Sequence, residues 1–219
     1  MDKDLKIIYE DDHVLVIFKP AGIPVQTASV AKADVCSILK NHLKGGYLGV
    51  VHRLDQPVEG LLVFAKDSGT AAKLSEDLSR GALKKSYRAV VYGQVGTDGS
   101  DICYMRKSAK GECEIGEGPD FKKAELKYEV LSSNENTSLL KIDIGTGRFH
   151  QIRAQMAHLG YPLLGDQKYG SEESKAFSSA HGITNPALCA DRLTVPGLKT
   201  DNGAEFEIAP ENPAFKLYE

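Results

Sequence analysis

The sequence lacks the long apolar segments that membrane-spanning and secreted proteins carry. It contains no run of about 18 apolar residues, so a membrane-spanning helix is not expected. Its first residues, MDKDLKIIYEDD, are charged and include no apolar signal region, which argues against secretion. A cytoplasmic protein without a membrane partner is therefore the prediction.

Cysteines are few and scattered along the chain. None of Cys36, Cys103, Cys113 and Cys189 belongs to a CxxC pair. Closely spaced cysteines are the usual sign of a zinc site, and a dense set in a short secreted chain is the usual sign of a disulfide framework. Neither is indicated, so we expect reduced thiols and no metal site.

The chain also lacks a surplus of positive charge, internal repeats and linker-like segments. Its net charge is −3 and its pI is about 6.1, which argues against a general nucleic-acid coat protein but leaves room for a local basic face. With 219 residues, 42% hydrophobic and 26% charged, it has the composition of a globular protein. The length suits one domain over residues 1–219.

Short apolar or alternating runs predict the strands. They begin at Ile7 and continue in residues 14–18, 60–67, 86–93, 124–131, 138–145 and 204–210. In residues 124–131, Ala124, Leu126, Tyr128 and Val130 alternate with polar residues, which is typical of a half-buried strand.

Three segments have the apolar spacing and end residues of helices. They are residues 34–44, capped by Asp34 with Val35, Ile38, Leu39 and His42 on one face; residues 68–81, capped by Ser68 or Thr70; and residues 150–160, ended by Gly160. The glycine-rich residues 96–120 predict an irregular segment, and the polar residues 171–186 predict a loop. Strands interrupted by a few helices predict an α+β fold, with a mostly antiparallel mixed sheet flanked by helices and loops.

Three polar stretches could carry chemistry. In VHRLDQPVEGLLVFAKD, Arg53 and Asp55 directly precede a buried apolar run, although such a pair is more often a surface ion pair. In LKKSYRAVVYG, Tyr87 lies among cations and could stack on a base, although a strand tyrosine is more often core.

The stretch GTGRFHQIRAQMAHLG contains a glycine-rich turn followed by the start of a predicted helix. Its basic residues Arg148, His150 and Arg153 lie along this turn and helix start. The free N–H groups of a helix start suit a phosphate, although a solvated helix face is the simpler interpretation. His150 and His158 are too far apart along the chain for ordinary helical zinc ligands.

Taken together, these stretches resemble the RluA-type pseudouridine synthase family. The resemblance runs in family order from YEDDHVLVIFKPAGIPV through HRLD, KKSYRAVVYG, AELKYEVL and GRFHQIRAQMAHLGYPLLGDQKYG to EFEIAP. It implies the pseudouridine synthase fold and an isomerase that detaches uracil from its ribose and rejoins it through carbon 5. It also implies that no cofactor or metal is needed.

The resemblance implies the roles of individual residues. Asp55 corresponds to the family's essential aspartate, Arg153 to the basic residue that pairs with it, and Tyr87 to the tyrosine that stacks on the target base. His52, Arg53, Arg148 and His150 are expected to contact RNA, with Arg53 filling the gap left by a flipped-out uridine. Asp55 either attacks the sugar carbon or removes the proton from carbon 2 of the ribose.

Some features depart from the family pattern and leave alternatives open. Glu59 stands where a small hydroxyl residue is usual, LCADRLTVPG replaces the usual C-terminal LHA and HP, and an N-terminal S4-like domain is not expected. The alternatives are a catalytically silent RNA-binding or ribosome-assembly protein on the same fold, and a carbohydrate hydrolase with a second carboxylate. The expected substrate is a stem-loop of ribosomal or transfer RNA, and the expected oligomeric state is a monomer.

Overall fold

The computed structural model describes residues 5–28, 33–198 and 203–219. The strands are β1 (Lys6–Glu10), β2 (Val14–Lys19), β3 (Gly49–Val50), β4 (Glu59–Ala65), β5 (Lys84–Tyr92), β6 (Gly99–Lys107), β7 (Cys113–Ile115), β8 (Lys122–Ser133), β9 (Thr137–Ile144), β10 (Leu188–Val195) and β11 (Ala204–Glu207). The helices are α1 (Val35–His42), α2 (Ser68–Ser79), α3 (Gln151–His158), α4 (Glu172–Ala180) and a 3-10 helix (Pro213–Tyr218).

The chain forms two compact units. Unit 1 consists of residues 1–85 and 190–209, and unit 2 consists of residues 86–189 and 210–219. The expectation of one catalytic domain over residues 1–219 stays a prediction.

Unit 1 is built on the buried strands β2 and β4. They pair antiparallel, with Val16 opposite Val63 and Ile17 opposite Leu62, and every residue of both strands is buried. Strand β1 pairs with β2, β3 pairs with β4, and β11 pairs with β10, all antiparallel. Apolar side chains from these strands and from Leu74 of α2 form one core, as expected for continuous apolar runs.

Unit 2 contains an antiparallel sheet in the order β5–β9–β8–β6–β7. The alternation predicted for residues 124–131 is observed: Ala124 and Leu126 are buried, and Tyr128 and Val130 are half-buried. Ala154 of α3 packs against Ala124 and against Met105 of β6. These antiparallel sheets with few helices confirm the predicted α+β class.

The helix starts follow local side-chain chemistry. Asp34 caps α1 as predicted and forms a capping box with Ser37, but His42 is exposed and its ring bonds to Glu10 instead of joining the buried face. The prediction of Ser68 or Thr70 as the cap of α2 was wrong. Asp67 is the cap, because its carboxylate accepts from the Thr70 backbone N–H at 2.8 Å.

Two segments predicted to be irregular contain regular structure. Residues 96–120 include β6 and β7, and residues 171–186 include α4, which Ser171 caps. Apolar residues on both faces of β6 hide its period, since Met105 is buried while Ile102 and Tyr104 are exposed. The inward residues of α4 are the serines Ser174 and Ser178, so an apolar stripe is missing.

In the described part of the chain, no helix is long and apolar enough to cross a membrane. The four cysteines are all described, and each is a free thiol.

Candidate active site

The segment that carries Asp55 connects β3 to β4 in unit 1. Its side chains alternate between interior and surface: His52 and Leu54 are buried, Arg53 is exposed and Asp55 is half-buried. The Val58 N–H donates to the Asp55 carbonyl oxygen at 3.0 Å and closes a turn directly after the carboxylate. Buried neighbours thus fix the backbone from which Arg53 and Asp55 project.

A buried lysine that the sequence did not indicate holds this turn. Lys19, at the end of β2, is 0% exposed. Its ammonium donates to the carbonyl oxygens of Pro20 at 3.0 Å, Ile23 at 2.9 Å and Gln56 at 3.1 Å. The Gly22 N–H also donates to the Gln56 carbonyl, at 2.8 Å. The Lys19 ammonium therefore joins the chain after β2 to the turn that contains Gln56, next to Asp55. Hydrogen bonds from a charged donor are stronger than those between neutral groups.

His52 lies inside unit 1 and is 6% exposed. Its Nε2 accepts from the Val63 N–H at 3.3 Å, so the neutral ring carries its proton on Nδ1. Burial, with a smaller effect of the Lys85 ammonium, holds the pKa of His52 well below its ordinary value. Burial also lowers the pKa of Lys85. This environment counts against the predicted contact of His52 with RNA, which stays a prediction.

Glu59, the departure from the family pattern, is the first residue of β4 and is buried. It is followed by Gly60, whose φ is +136°. A Cβ at Gly60 would lie 2.5 Å from the Ala190 nitrogen, so only glycine fits where β4 approaches β10. Glu59 is therefore part of a tightly packed strand start rather than an exposed charge.

Tyr87 lies on β5 in unit 2, where it is 5% exposed and opposite Ile142 of β9. Its neighbour Arg88 is half-buried, and Lys84 at the strand start is exposed. A stacking contact of Tyr87 with a base stays a prediction.

Arg153 is buried in α3, and its guanidinium is held by Asp166. Nε donates to one carboxylate oxygen at 2.7 Å and Nη2 donates to the other at 2.8 Å. Asp166 also accepts from the backbone N–H groups of Lys168 and Tyr169. The Tyr169 ring lies 5.2 Å from the guanidinium carbon. The pairing of Arg153 with Asp55 stays a prediction, whereas Asp166 is a partner that sequence reasoning missed.

Tyr169 links this pair to His150. Its oxygen accepts from the Cys113 N–H at 2.7 Å and lies 2.8 Å from Nδ1 of His150. Burial, the largest cause, raises the pKa of Tyr169 to about 12, so its hydroxyl stays protonated near neutral pH. The stretch GDQKYG, which begins at Gly165 shortly after α3, is the sequence signal that could have indicated both Asp166 and Tyr169.

The turn before α3 brings Arg148 and His150 to the same end of unit 2 as Arg153. The buried amide of Gln151 fixes this turn by accepting from the Thr146 hydroxyl and the Arg148 N–H. His150 takes a left-handed backbone conformation with φ of 53° and stacks on Phe149 at 3.7 Å. Arg148 is exposed, which fits the predicted phosphate contact without testing it.

Within residues 5–28, 33–198 and 203–219, no group of three His, Cys, Asp or Glu side chains has the geometry of a metal site.

Comparison with known proteins gives the family context of these residues. A family model described as RNA pseudouridylate synthase matches residues 13–158. The ribosomal large subunit pseudouridine synthase D of Haemophilus influenzae is 36% identical over 171 residues, which are 76% of this chain and 53% of that protein. Synthase C of Rickettsia prowazekii is 36% identical over 178 residues, with 78% and 58% covered. The chain thus spans little more than half the length of these two relatives.

Two further proteins are similar over more of their length. An uncharacterised RNA pseudouridine synthase of Bacillus subtilis is 35% identical over 205 residues, covering 86% of this chain and 68% of that protein. The solved structure of human RNA pseudouridylate synthase domain containing 4 has a TM-score of 0.77 at 23% identity, covering 96% and 92% of the two chains. That last similarity concerns the fold.

Proposed function

Because this chain belongs to the RNA pseudouridylate synthase family, we propose that it isomerises uridine to pseudouridine in RNA. The family match over residues 13–158 carries the proposal. Ribosomal RNA is the proposed substrate class, since the relatives from Haemophilus influenzae and Rickettsia prowazekii are named as ribosomal large subunit synthases. The target uridine lies in a stem-loop and leaves its stack before it reacts.

The reaction rearranges one nucleotide and adds no atoms. The bond between ribose C1′ and uracil N1 breaks, the uracil turns, and a new bond forms between C1′ and C5. The hydrogen on C5 leaves as a proton, and N1 takes up a proton. A carboxylate can assist this in two ways. It can attack C1′ and be displaced when C5 bonds to C1′, or it can remove the proton from C2′ and return it when that bond forms. Asp55 is the proposed carboxylate in either case.

The setting of Asp55 supports this role. A catalytic group gains most when its position is fixed before the substrate arrives. Asp55 is half-buried, and the adjacent turn is closed by Val58 and held through Gln56 by the buried Lys19 ammonium. The backbone of this turn is fixed by these contacts, so the half-buried carboxylate has a defined position.

The other residues have supporting roles in the proposal. The proposed partner of Asp55 is Arg153, whose positive charge would keep the carboxylate ionised, and Tyr87 stacks on the target base. Arg53, which is exposed, occupies the gap left by the flipped nucleotide. Arg148 and His150 hold RNA phosphates. We propose that His52 positions the Asp55 segment, because its Nε2 accepts from the buried Val63 N–H; its contact with RNA stays a prediction.

The proposal is tested by incubating the protein with unmodified transcripts of ribosomal RNA and transfer RNA. The RNA is then digested to nucleosides, and uridine is separated from pseudouridine by chromatography. Pseudouridine in the ribosomal transcript supports the proposal, and pseudouridine only in the transfer RNA transcript would correct the substrate class. Binding of both RNAs without pseudouridine would favour the silent RNA-binding protein.

A further inference from the structure

The cations of unit 2 fall into two groups. Several lysines and arginines on the outer face of the sheet are paired with carboxylates, including Arg106 with Glu114 and Lys141 with Glu129. Seven others have no carboxylate within ion-pair distance in the described ranges: Lys107, Lys110, Lys122, Lys127, Arg148, Lys168 and Lys216. Five of these concern us: Lys107, Lys110, Lys122, Arg148 and Lys168.

Contacts place Lys107, Arg148 and Lys168 at one end of the unit, and Lys110 and Lys122 are each next in sequence to a residue that takes part in these contacts. The Lys107 ammonium lies 4.7 Å from the centre of the Phe149 ring. Arg148 Nε donates to the carbonyl oxygen of Lys123 at 2.9 Å, next to Lys122. Lys168 Nζ donates to the carbonyl oxygen of Gly111 at 2.9 Å, next to Lys110. Four chain segments thus meet, and none of these five cations has an ion-pair partner in the described part of the chain.

An aromatic framework supports this cluster. Phe149 stacks on His150, and the His150 ring meets Tyr169 edge-on at 5.6 Å. The Tyr169 oxygen in turn accepts from the N–H of Cys113, the first residue of β7. The β6–β7 hairpin is therefore fastened to the start of α3, and the cations that it carries keep a defined spacing.

We propose that Lys107, Lys110, Lys122, Arg148 and Lys168 form a phosphate-binding surface for the backbone of substrate RNA. This surface, called here the α3 basic surface, adjoins the Arg153–Tyr169 contact. It deepens the proposed function and rests on it only for the identity of the RNA. A chain with a net charge of −3 that leaves five neighbouring cations unpaired has a local field suited to a polyanion.

The strand β8 offers a matched pair of variants. Lys122 and Lys127 are both exposed lysines without a described carboxylate partner, but strand alternation places them on opposite faces. Lys122→Gln removes a charge from the α3 basic surface, and Lys127→Gln removes one from the other face. Glu112, exposed in the hairpin turn, allows the opposite change.

The test measures binding of a fluorescein-labelled, uridine-containing RNA stem-loop by fluorescence anisotropy between about 50 and about 200 mM salt. Lys107→Gln, Lys122→Gln and Lys168→Gln are each expected to reduce the slope of log Kd against log salt by about 0.7 to 0.9. Lys127→Gln is expected to leave the slope unchanged, and Glu112→Gln to tighten binding. Thermal unfolding confirms that each variant is folded.

The outcomes separate this surface from the proposed catalysis. Equal effects of Lys122→Gln and Lys127→Gln, or unchanged slopes in all surface variants, would overturn the surface whether or not pseudouridine forms. Reduced slopes in the surface variants, together with pseudouridine formation by the wild-type protein at saturating RNA, support both proposals. Reduced slopes in the variants without any pseudouridine formed by the wild-type protein support the surface and overturn the proposed function.

Discussion

The buried pair of Arg153 and Asp166 gives the sharpest test of the architecture of unit 2. Asp166 is 2% exposed, and each of its oxygens accepts from the Arg153 guanidinium. Asp166→Asn keeps the size of the side chain but removes the charge and turns one acceptor into a donor. A buried arginine then loses a carboxylate that it cannot replace with water.

The expected cost follows from this burial. Removing one partner of a buried ion pair typically costs about 3 to 5 kcal/mol. At about 2 to 4 °C per kcal/mol for a chain of this size, the unfolding temperature should fall by about 6 to 20 °C. Since the sequence contains no tryptophan, far-ultraviolet circular dichroism is a suitable probe of unfolding.

A double-mutant cycle assigns the cost to the pair. Arg153→Gln, Asp166→Asn and the combined variant are unfolded in urea under the same conditions. We expect the combined variant to be less destabilised than the sum of the single variants, by at least about 1 kcal/mol. Additive effects, or a loss below about 1 kcal/mol for Asp166→Asn, would show that this carboxylate does not stabilise the buried arginine.

Three further predictions concern unit 1. Because burial lowers the pKa of His52 below 6.5, the unfolded chain binds a proton there that the folded protein does not, so stability should fall as pH drops below 6.5. Urea unfolding of His52→Gln should show a shallower fall, and an unchanged pH dependence would contradict this. Gly60→Ala should lower the free energy of unfolding by about 2 kcal/mol or more, because its Cβ would meet Ala190 and its φ is positive. The control Gly96→Ala, in unit 2, would place its Cβ with no atom within 4 Å and should lower that free energy by under about 1 kcal/mol. Lys19→Met should speed hydrogen exchange of the Gly22 and Val58 amides, since it removes the ammonium that ties their segments; unchanged exchange would show that Lys19 does not hold the Asp55 turn.

The parts of the fold that follow from local pattern could be predicted from the sequence. The β8 alternation of Ala124, Leu126 and Tyr128 is set by which side chains face the core, and the buried run of β4 is set by composition. The Asp34 cap follows from side-chain chemistry that acts within three residues.

The parts that depend on distant partners could not be predicted in this way. Lys19 is polar at the end of an apolar strand, and only the meeting of its segment with Gln56 explains its burial. Asp166 is buried because it forms an ion pair with Arg153, which lies thirteen residues earlier in α3. The residues next to Asp166 in the sequence give no sign of this pair. Strand β6 was missed because Ile102 and Tyr104 are apolar and exposed, which cancels the period that a half-buried strand should show.

Tritium release from labelled RNA is the sharpest test of whether Asp55 drives uridine isomerisation. Ribosomal RNA transcripts carrying tritium at carbon 5 of uracil are incubated with the wild-type protein and with Asp55→Asn, which preserves size and removes the charge. We expect release of tritium into water by the wild-type protein and none above background by the variant, with both binding RNA equally. Equal release by the two proteins would show that the Asp55 carboxylate is not needed for isomerisation.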